Sequence, residues 1–215
     1  MCCRFYIEDR VDDFSGYFEQ VSASPLTGRM AARLARPLKT AGEIFPTDMV
    51  PVVAADRKGA VRAFPMVWGF TAEQTGKRRL LINARAETAA SAAAFREAWN
   101  AHRCIVPASF FFEWGAPPAE GAFPLTKAGK ARYRIHPAGK PVTWLAGLYR
   151  TETAGDLTYP VFTILTRESA GDMRAVHGRM PVIFPDPLVE EWILPQNDPA
   201  RLIDEAVTDL LVTAG

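Results

Sequence analysis

The sequence predicts an α+β fold with a mixed, mostly antiparallel sheet and helices beside it. Three observations carry that expectation. Many short runs are wholly apolar or alternate with period two, which suits strands. Helical-period stretches cluster between and after these runs, which suggests α+β with a mixed, largely antiparallel sheet. Glycine and proline are scattered in short turn-like stretches, with no repeat, low-complexity segment or long linker. Residues 1–215 are therefore expected to form a single domain.

Taken in order, MCCRFYI alternates and predicts a strand. RVDDFSGYFEQV predicts a helix with Phe14, Phe18 and Val21 on one face. PLTGRMAARLA predicts a second short helix. MVPVVAAD, GAVRAFPMVWGF and RRLLINARAE predict strands joined by tight turns at RKG and QTGK. AASAAAFREAWNAH predicts the clearest helix, being Ala-rich with Phe95, Ala98 and Trp99 at helical spacing. RCIVPASFFFEW predicts a strand broken at Pro107, an edge or bulge. ARYRIH, VTWLAGLYR and TYPVFTILT continue the β series. DPLVEEWIL and DPARLIDEAV start with Asp-Pro, an N-cap and first-turn pair, so residues 186–215 are expected to be a helical tail.

Composition excludes several function classes. The chain is 48% hydrophobic and 23% charged, as a packed core with a wet surface requires. No apolar run approaches the roughly 18 residues of a membrane helix, so no membrane association is expected. No signal-peptide pattern is present. Three cysteines give neither a disulfide framework nor zinc spacing, so no metal is expected and a reducing cytoplasm fits. A formal net charge of +1 argues against binding nucleic acid through bulk charge. A local basic patch stays open, because Arg4, Arg85, Arg103, Arg174 and Arg179 all fall in motif-like stretches.

Four places set polar or reactive groups among apolar neighbours. Cys2 stands directly behind Met1. Asn83 and Arg85 close the run LLINARAET. Glu113 is framed by three Phe and a Trp in SFFFEWG. His177 lies in MRAVHGRMPVIF between Arg174 and Arg179, and Gly178 after it would let backbone approach closely. Each has an ordinary explanation: a terminal residue without a role, a turn amide, a Glu pointing out of its strand, a hydrogen-bonded structural His. Each also has a chemical one. Cys2 without Met1 carries an amine and a thiol on adjacent carbons, which close to a thiazolidine on an aldehyde. Asn83 can orient a reacting group, and Arg85 can donate to a phosphate. An apolar setting raises a carboxyl pKa toward neutrality, the range of a general acid or base. The residue types Cys, His and Asn also fit a cysteine peptidase. Such a nucleophile needs only a thiol, whereas a terminal amine gives a reason for position 2.

MCCRF, WGF, NARAET, RCIVPASFFFEW, AGLYR, FTILTRES and MRAVHGRMPVIF, together and in this order, resemble the SOS response-associated peptidase family, the abasic-site processing proteins. These motifs run from residue 2 to about 184. The resemblance implies a sheet curled into a partial barrel and flanked by helices, with a shallow positive cleft for single-stranded DNA and an abasic site at its base. It implies that Cys2, exposed by removal of Met1, forms a thiazolidine crosslink with the ring-opened deoxyribose and shields the lesion. Asn83 matches the residue that positions the amine and sugar. Glu113 matches the residue that assists ring closure, reversal and Met1 removal, and His177 the one that helps open the sugar. Arg4, Arg85 and Arg179 match phosphate-binding positions, and Trp68 and Trp114 resemble apolar walls near the lesion. No cofactor is implied. A cytoplasmic monomer, at the bacterial nucleoid when engaged on DNA, is expected. The family carries Gly where this chain has Cys3, whose thiol is expected to point away from the aldehyde. The other readings are a cysteine peptidase acting on proteins and a non-covalent single-strand DNA binder.

The chemistry favours a terminal amine. An α-amine of pKa near 7.7–8.0 is roughly one-seventh free at pH 7, about 300-fold more than a lysine. The thiol traps the imine as a ring, so a shielding crosslink is expected over strand cleavage, with weak lyase activity left open at the imine stage.

Overall fold

A computed structural model describes residues 2–8, 12–74, 76–119, 121 and 123–215. Met1 and the Phe14 side chain, both invoked above, lie outside the described residues. The first half of the chain forms β1 (Arg4–Ile7), α1 (Asp12–Ser22), α2 (Pro25–Leu34), β2 (Gly42–Ile44), β3 (Met49–Ala55), β4 (Val61–Trp68), β5 (Phe70–Gln74), β6 (Lys77–Leu81), β7 (Asn83–Arg85), α3 (Ala86–Ala89) and α4 (Arg96–Ala101). The second half forms β8 (Arg103–Ala108), β9 (Phe110–Gly115), β10 (Ala131–Pro137), β11 (Thr143–Ala154), β12 (Leu157–Glu168), α5 (Met173–Val176), β13 (Arg179–Pro181), β14 (Ile183–Phe184), α6 (Val189–Ile193), α7 (Pro199–Asp204) and β15 (Leu210–Ala214). None of the described helices is long and apolar enough to cross a membrane.

The fold is α+β, and its barrel is closed. Strands β12, β4, β3, β8 and β11 pair in that order, and β11 pairs back onto β12. All these contacts are antiparallel except β12 with β4. Period-two alternation sorts the side chains. Val50, Val52, Met66, Trp68, Cys104, Val106, Leu145, Phe162 and Ile164 make one buried cluster inside. Met49, Val53, Val67, Ile105, Ala146, Leu148, Val161 and Leu165 point the other way, against Met30, Ala89, Trp99 and Trp192 of the helices. Crowding within is severe: a Cβ on Gly147 would lie 2.9 Å from Cys104 Sγ and 3.0 Å from the Thr163 carbonyl.

A second sheet, in the order β15-β10-β9-β1-β2, shares the inner cluster through Phe5, Ile7, Phe111, Ile135 and Leu210. The chain passes from barrel to second sheet at Ser109, not at Pro107 as expected. Ser109 N–H donates to the Tyr6 carbonyl at 2.8 Å, and its hydroxyl accepts from Glu8 N–H at 2.9 Å. Its carbonyl accepts from the Thr143 hydroxyl at 3.0 Å. Pro107 stays inside β8 opposite Trp144, beyond the last pairing with β3 at Val53–Ile105, where a missing N–H costs no bond to that strand.

Three other expectations are corrected. The Ala-rich stretch is not one helix. The Thr88 carbonyl accepts from Ser91 N–H, Ala92 N–H and the Ser91 hydroxyl, which closes a turn. Phe95 then leaves helical geometry at φ −126° and sets its ring 5.9 Å from Phe70. Packing outweighs propensity here. Asp186 is no N-cap; its carboxylate accepts from Lys140 Nζ at 2.9 Å and Trp144 Nε1 at 2.7 Å. Asp198 does cap, accepting from Ala200 N–H. The tail is not helical to its end, because β15 pairs antiparallel with β10 from Tyr133–Ala214 to Pro137–Leu210.

Arg103, one of the motif-like arginines, is structural. It is buried, and its guanidinium donates to the carbonyls of Trp192 (2.7 Å), Trp99 (3.0 Å) and Asn197 (3.0 Å). Arg103→Leu would strand these acceptors, and a loss of about 3 kcal/mol is expected, since each unpaired buried acceptor costs on the order of 1–3 kcal/mol. Denaturant unfolding of the two proteins checks this.

Candidate active site

Cys2 lies just before β1, whose partner on one side is β9. Along β1, Phe5 and Ile7 point into the core and Arg4 and Tyr6 point out. On β9, Phe111 points into the core and Glu113, two residues on, shares its face, while Phe112 and Trp114 share the other. The run FFFEW therefore delivers a buried carboxylate to the side where Cys2 is buried. Cys2 is 1% exposed and Glu113 is 4% exposed.

Asn83 opens β7, held parallel to β12 opposite Ile164. Its Nδ2 donates to the Cys2 main-chain carbonyl at 2.8 Å. Its Oδ1 is buried without a hydrogen-bond partner among the described residues. His177 caps the C-terminal end of α5, and its Nε2 lies 3.6 Å from Glu113 Oε1. Its Nδ1 accepts from Arg179 N–H at 2.9 Å, which puts the neutral ring's proton on Nε2, facing Glu113.

Both thiols at the site are held protonated. Burial, followed by the Glu113 charge, pushes the Cys2 thiol well above its ordinary range. The same two causes raise Cys3. Cys2 and Cys3 precede the regular strand, so strand alternation does not set their faces. Cys3 is half-buried, and the Glu113 charge reaches it too. No disulfide joins them.

The expected DNA-contacting residues divide. Arg85 is exposed. Trp114 is half-buried, with the Arg4 guanidinium 5.1 Å from its ring. Arg4 also stacks on Phe45 at 4.6 Å and pairs with Glu43 at 3.1 Å. Arg179 is engaged by Glu87 through two bonds of 2.7 and 2.8 Å and by the Thr166 carbonyl. Trp68 is corrected: it is fully buried, with Nε1 donating to the Ile82 carbonyl and its ring 5.2 Å from Phe5. It supports the site from beneath and has no surface for a strand. Gly178 is also corrected, since a Cβ there would meet nothing within 4 Å.

Sequence reasoning missed Gly115 and Glu87. A Cβ on Gly115 would lie 2.8 Å from the Val176 carbonyl, so only glycine lets α5 lie on β9 and bring His177 to Glu113. The signal available was a glycine ending a strongly apolar strand. Glu87 joins the α3 turn to β13 across the end of β12, also accepting from Glu168 N–H at 3.1 Å. It thereby ties the segment carrying Asn83 to the one carrying His177.

The family model described as SOS response associated peptidase (SRAP) matches residues 1–212. This chain belongs to the SRAP family. It is 37% identical over 125 residues to abasic site processing protein YobE of Bacillus subtilis (strain 168), covering 57% of this chain and 53% of that one. It is 29% identical over 143 residues to abasic site processing protein HMCES of Xenopus tropicalis, covering 56% and 41%. The SRAP chain spans about half the length of the curated relatives it matches. Two crystal structures from Bordetella bronchiseptica share the fold. A phage-related protein gives a TM-score of 0.66 at 22% identity, over 100% of this chain and 94% of that one. The other gives 0.65 at 20% identity, over 100% and 99%.

Two outcomes follow for this SRAP chain. Arg179 holds the Glu87 carboxyl down to about 2 from an ordinary 4.5. A depressed carboxyl contributes stability above its unfolded value and loses it as pH falls toward 2. With Glu87 half exposed, the contribution is discounted for solvent screening to about 1 kcal/mol. Glu87→Gln should lower stability by that amount at pH 7 and converge with wild type near pH 2 in urea titrations. Gly115→Ala should fold yet displace α5, visible as a shifted His177 imidazole signal in proton NMR.

Proposed function

We propose that this chain captures abasic sites in single-stranded DNA as a covalent crosslink through Cys2, made the first residue by removal of Met1, and so shields the lesion. The relatives' name, abasic site processing protein, supports the substrate class. The observation that carries the reading is the bond from Asn83 Nδ2 to the Cys2 carbonyl. It grips the main chain of residue 2, which a site using only the thiol has no need to do.

The α-amine of Cys2 attacks C1′ of the ring-opened sugar, and loss of one water leaves an imine. The Cys2 S–H then adds across the C=N bond, sulfur to carbon and proton to nitrogen, closing the thiazolidine. A thiol held protonated by burial brings that proton itself. Asn83 fixes the main chain and offers its unpaired Oδ1 to the amine or a sugar hydroxyl. Glu113 exchanges protons with the nitrogen, sulfur and departing water. As the sugar opens, Glu113 takes the C1′ hydroxyl proton and returns it to the ring oxygen, while His177 Nε2–H, beside that carboxylate, donates a hydrogen bond to the ring oxygen. The same carboxylate can activate water for removal of Met1, an autopeptidase step, and the imine leaves a route to slow strand cleavage. A cysteine peptidase acting on proteins fits less well, because such a nucleophile needs a lowered thiol pKa and Cys2 has a raised one.

Denaturing electrophoresis with an abasic single-stranded oligonucleotide is expected to give a heat-stable shifted band, with intact mass showing loss of Met1. Cys2→Ala should give no band, whereas Cys3→Gly should crosslink normally, because the Cys3 nitrogen is held in a peptide bond. Glu113→Gln should keep non-covalent binding but slow reversal and Met1 removal by about 100-fold, and His177→Ala should slow formation by a similar factor. Protein retaining Met1 that crosslinks as fast as trimmed protein would overturn the mechanism.

A further inference from the structure

Much of the positive charge near the site is already engaged. Arg4 pairs with Glu43 and Arg179 with Glu87. The run Lys77, Arg78, Arg79 on β6 is not. All three are exposed, and none forms a salt bridge among the described residues. Arg78 even lies opposite Glu73 in register without pairing to it.

The strand that carries them belongs to a two-stranded ribbon of its own, β5 with β6, paired from Phe70–Leu81 to Gln74–Lys77. Its base is fixed. Phe70 is fully buried, and Gly69 N–H donates to the Phe162 carbonyl at 2.7 Å. Gly69 has φ +117°, and a Cβ there would lie 2.5 Å from Leu80 Cγ. The Ile82 carbonyl accepts from Trp68 Nε1 at 2.9 Å and Ile164 N–H at 3.1 Å. The next residue is Asn83, which holds Cys2. From Asn83 to Lys77 an extended chain reaches about 20 Å. A single cation is enough to keep an open ribbon from pairing with another chain. Three in succession, with Lys77 and Arg79 on one face and Arg78 on the other opposite the single carboxylate Glu73, leave the arm net positive on a chain of net charge +1.

We propose that the β5–β6 ribbon is a phosphate-binding arm that follows the sugar–phosphate backbone of single-stranded DNA on one side of the lesion. This rests on the reading of the Cys2 site as a DNA-lesion site. Contacts of this kind position a strand without reading its sequence. Each releases counterions, so affinity falls with salt by a slope of about 0.7 per contact on a single strand.

The test replaces Lys77, Arg78 and Arg79 together by serine and measures binding of a long undamaged single strand across salt. The slope should fall by about 2, so that the variant loses about 20-fold less affinity than wild type between 50 and 200 mM salt. An oligonucleotide too short to leave the Cys2 cleft should bind both proteins alike. In wild-type protein, the long strand should protect Lys77 from an acylating reagent, read by mass spectrometry, and this arm does not depend on the variant folding. An unchanged slope in folded variant, or a Lys77 equally reactive with and without DNA, would overturn the proposal. An effect seen only with duplex flanks would overturn the single-strand assignment. Absence of any heat-stable adduct in wild type would instead sink the crosslinking reading, while the salt slope still decides the arm.

Discussion

Everything at the site depends on the turn of backbone at Ser109. Without it, β8 and β9 would be one strand and the carboxylate of Glu113 would ride on the barrel wall. Ser109 spends its N–H, hydroxyl and carbonyl on Tyr6, Glu8 and Thr143, so the chain leaves one ladder and joins another with no group stranded. Two of those three partners lie on or beside β1, the strand that follows Cys2. The bend that releases β9 therefore also docks the start of the chain against it.

Around that bend, three segments remote in sequence converge on residue 2. β7 brings Asn83, β9 brings Glu113, and α5 brings His177. Gly115 sets how near α5 can come. The site is dry on the core side, where Trp68 and Phe5 pack, and this dryness keeps the thiols protonated. A buried thiol beside a carboxylate is poor at direct attack as a thiolate. Under the crosslinking reading proposed above, it is suited to delivering sulfur and proton together to an imine.

Charge follows a second logic. Arginines close to the site are ordered by carboxylates, Arg4 by Glu43 and Arg179 by Glu87, so they shape the site as much as they attract a ligand. Charge unpaired among the described residues lies further out, at Arg85 and the β5–β6 ribbon. A chain of near-zero net charge can thus draw in a polyanion locally without a strong overall field.

The sequence by itself determined the fold class and the chemical inventory. Period-two runs and scattered turns marked the strands because alternation is a local consequence of burying one face. Cys2, Asn83, Glu113 and His177 stood out because each is a polar group in an apolar frame. Tertiary structure decided the rest, for reasons that no local pattern carries. The family resemblance implies that Trp68 is an apolar wall near the lesion, but its depth is set by Phe5 and Phe162, far away in the chain. Arg179 matches a phosphate-binding position, but Glu87, 92 residues earlier, already engages it. The Ala-rich helix breaks because Phe95 packs on Phe70, and the C-terminal tail ends as a strand because β10 offers an open edge. Only long-range contacts fix burial, ion pairing and strand partnership, so residue type could nominate the site while the fold alone chose which of its neighbours face it.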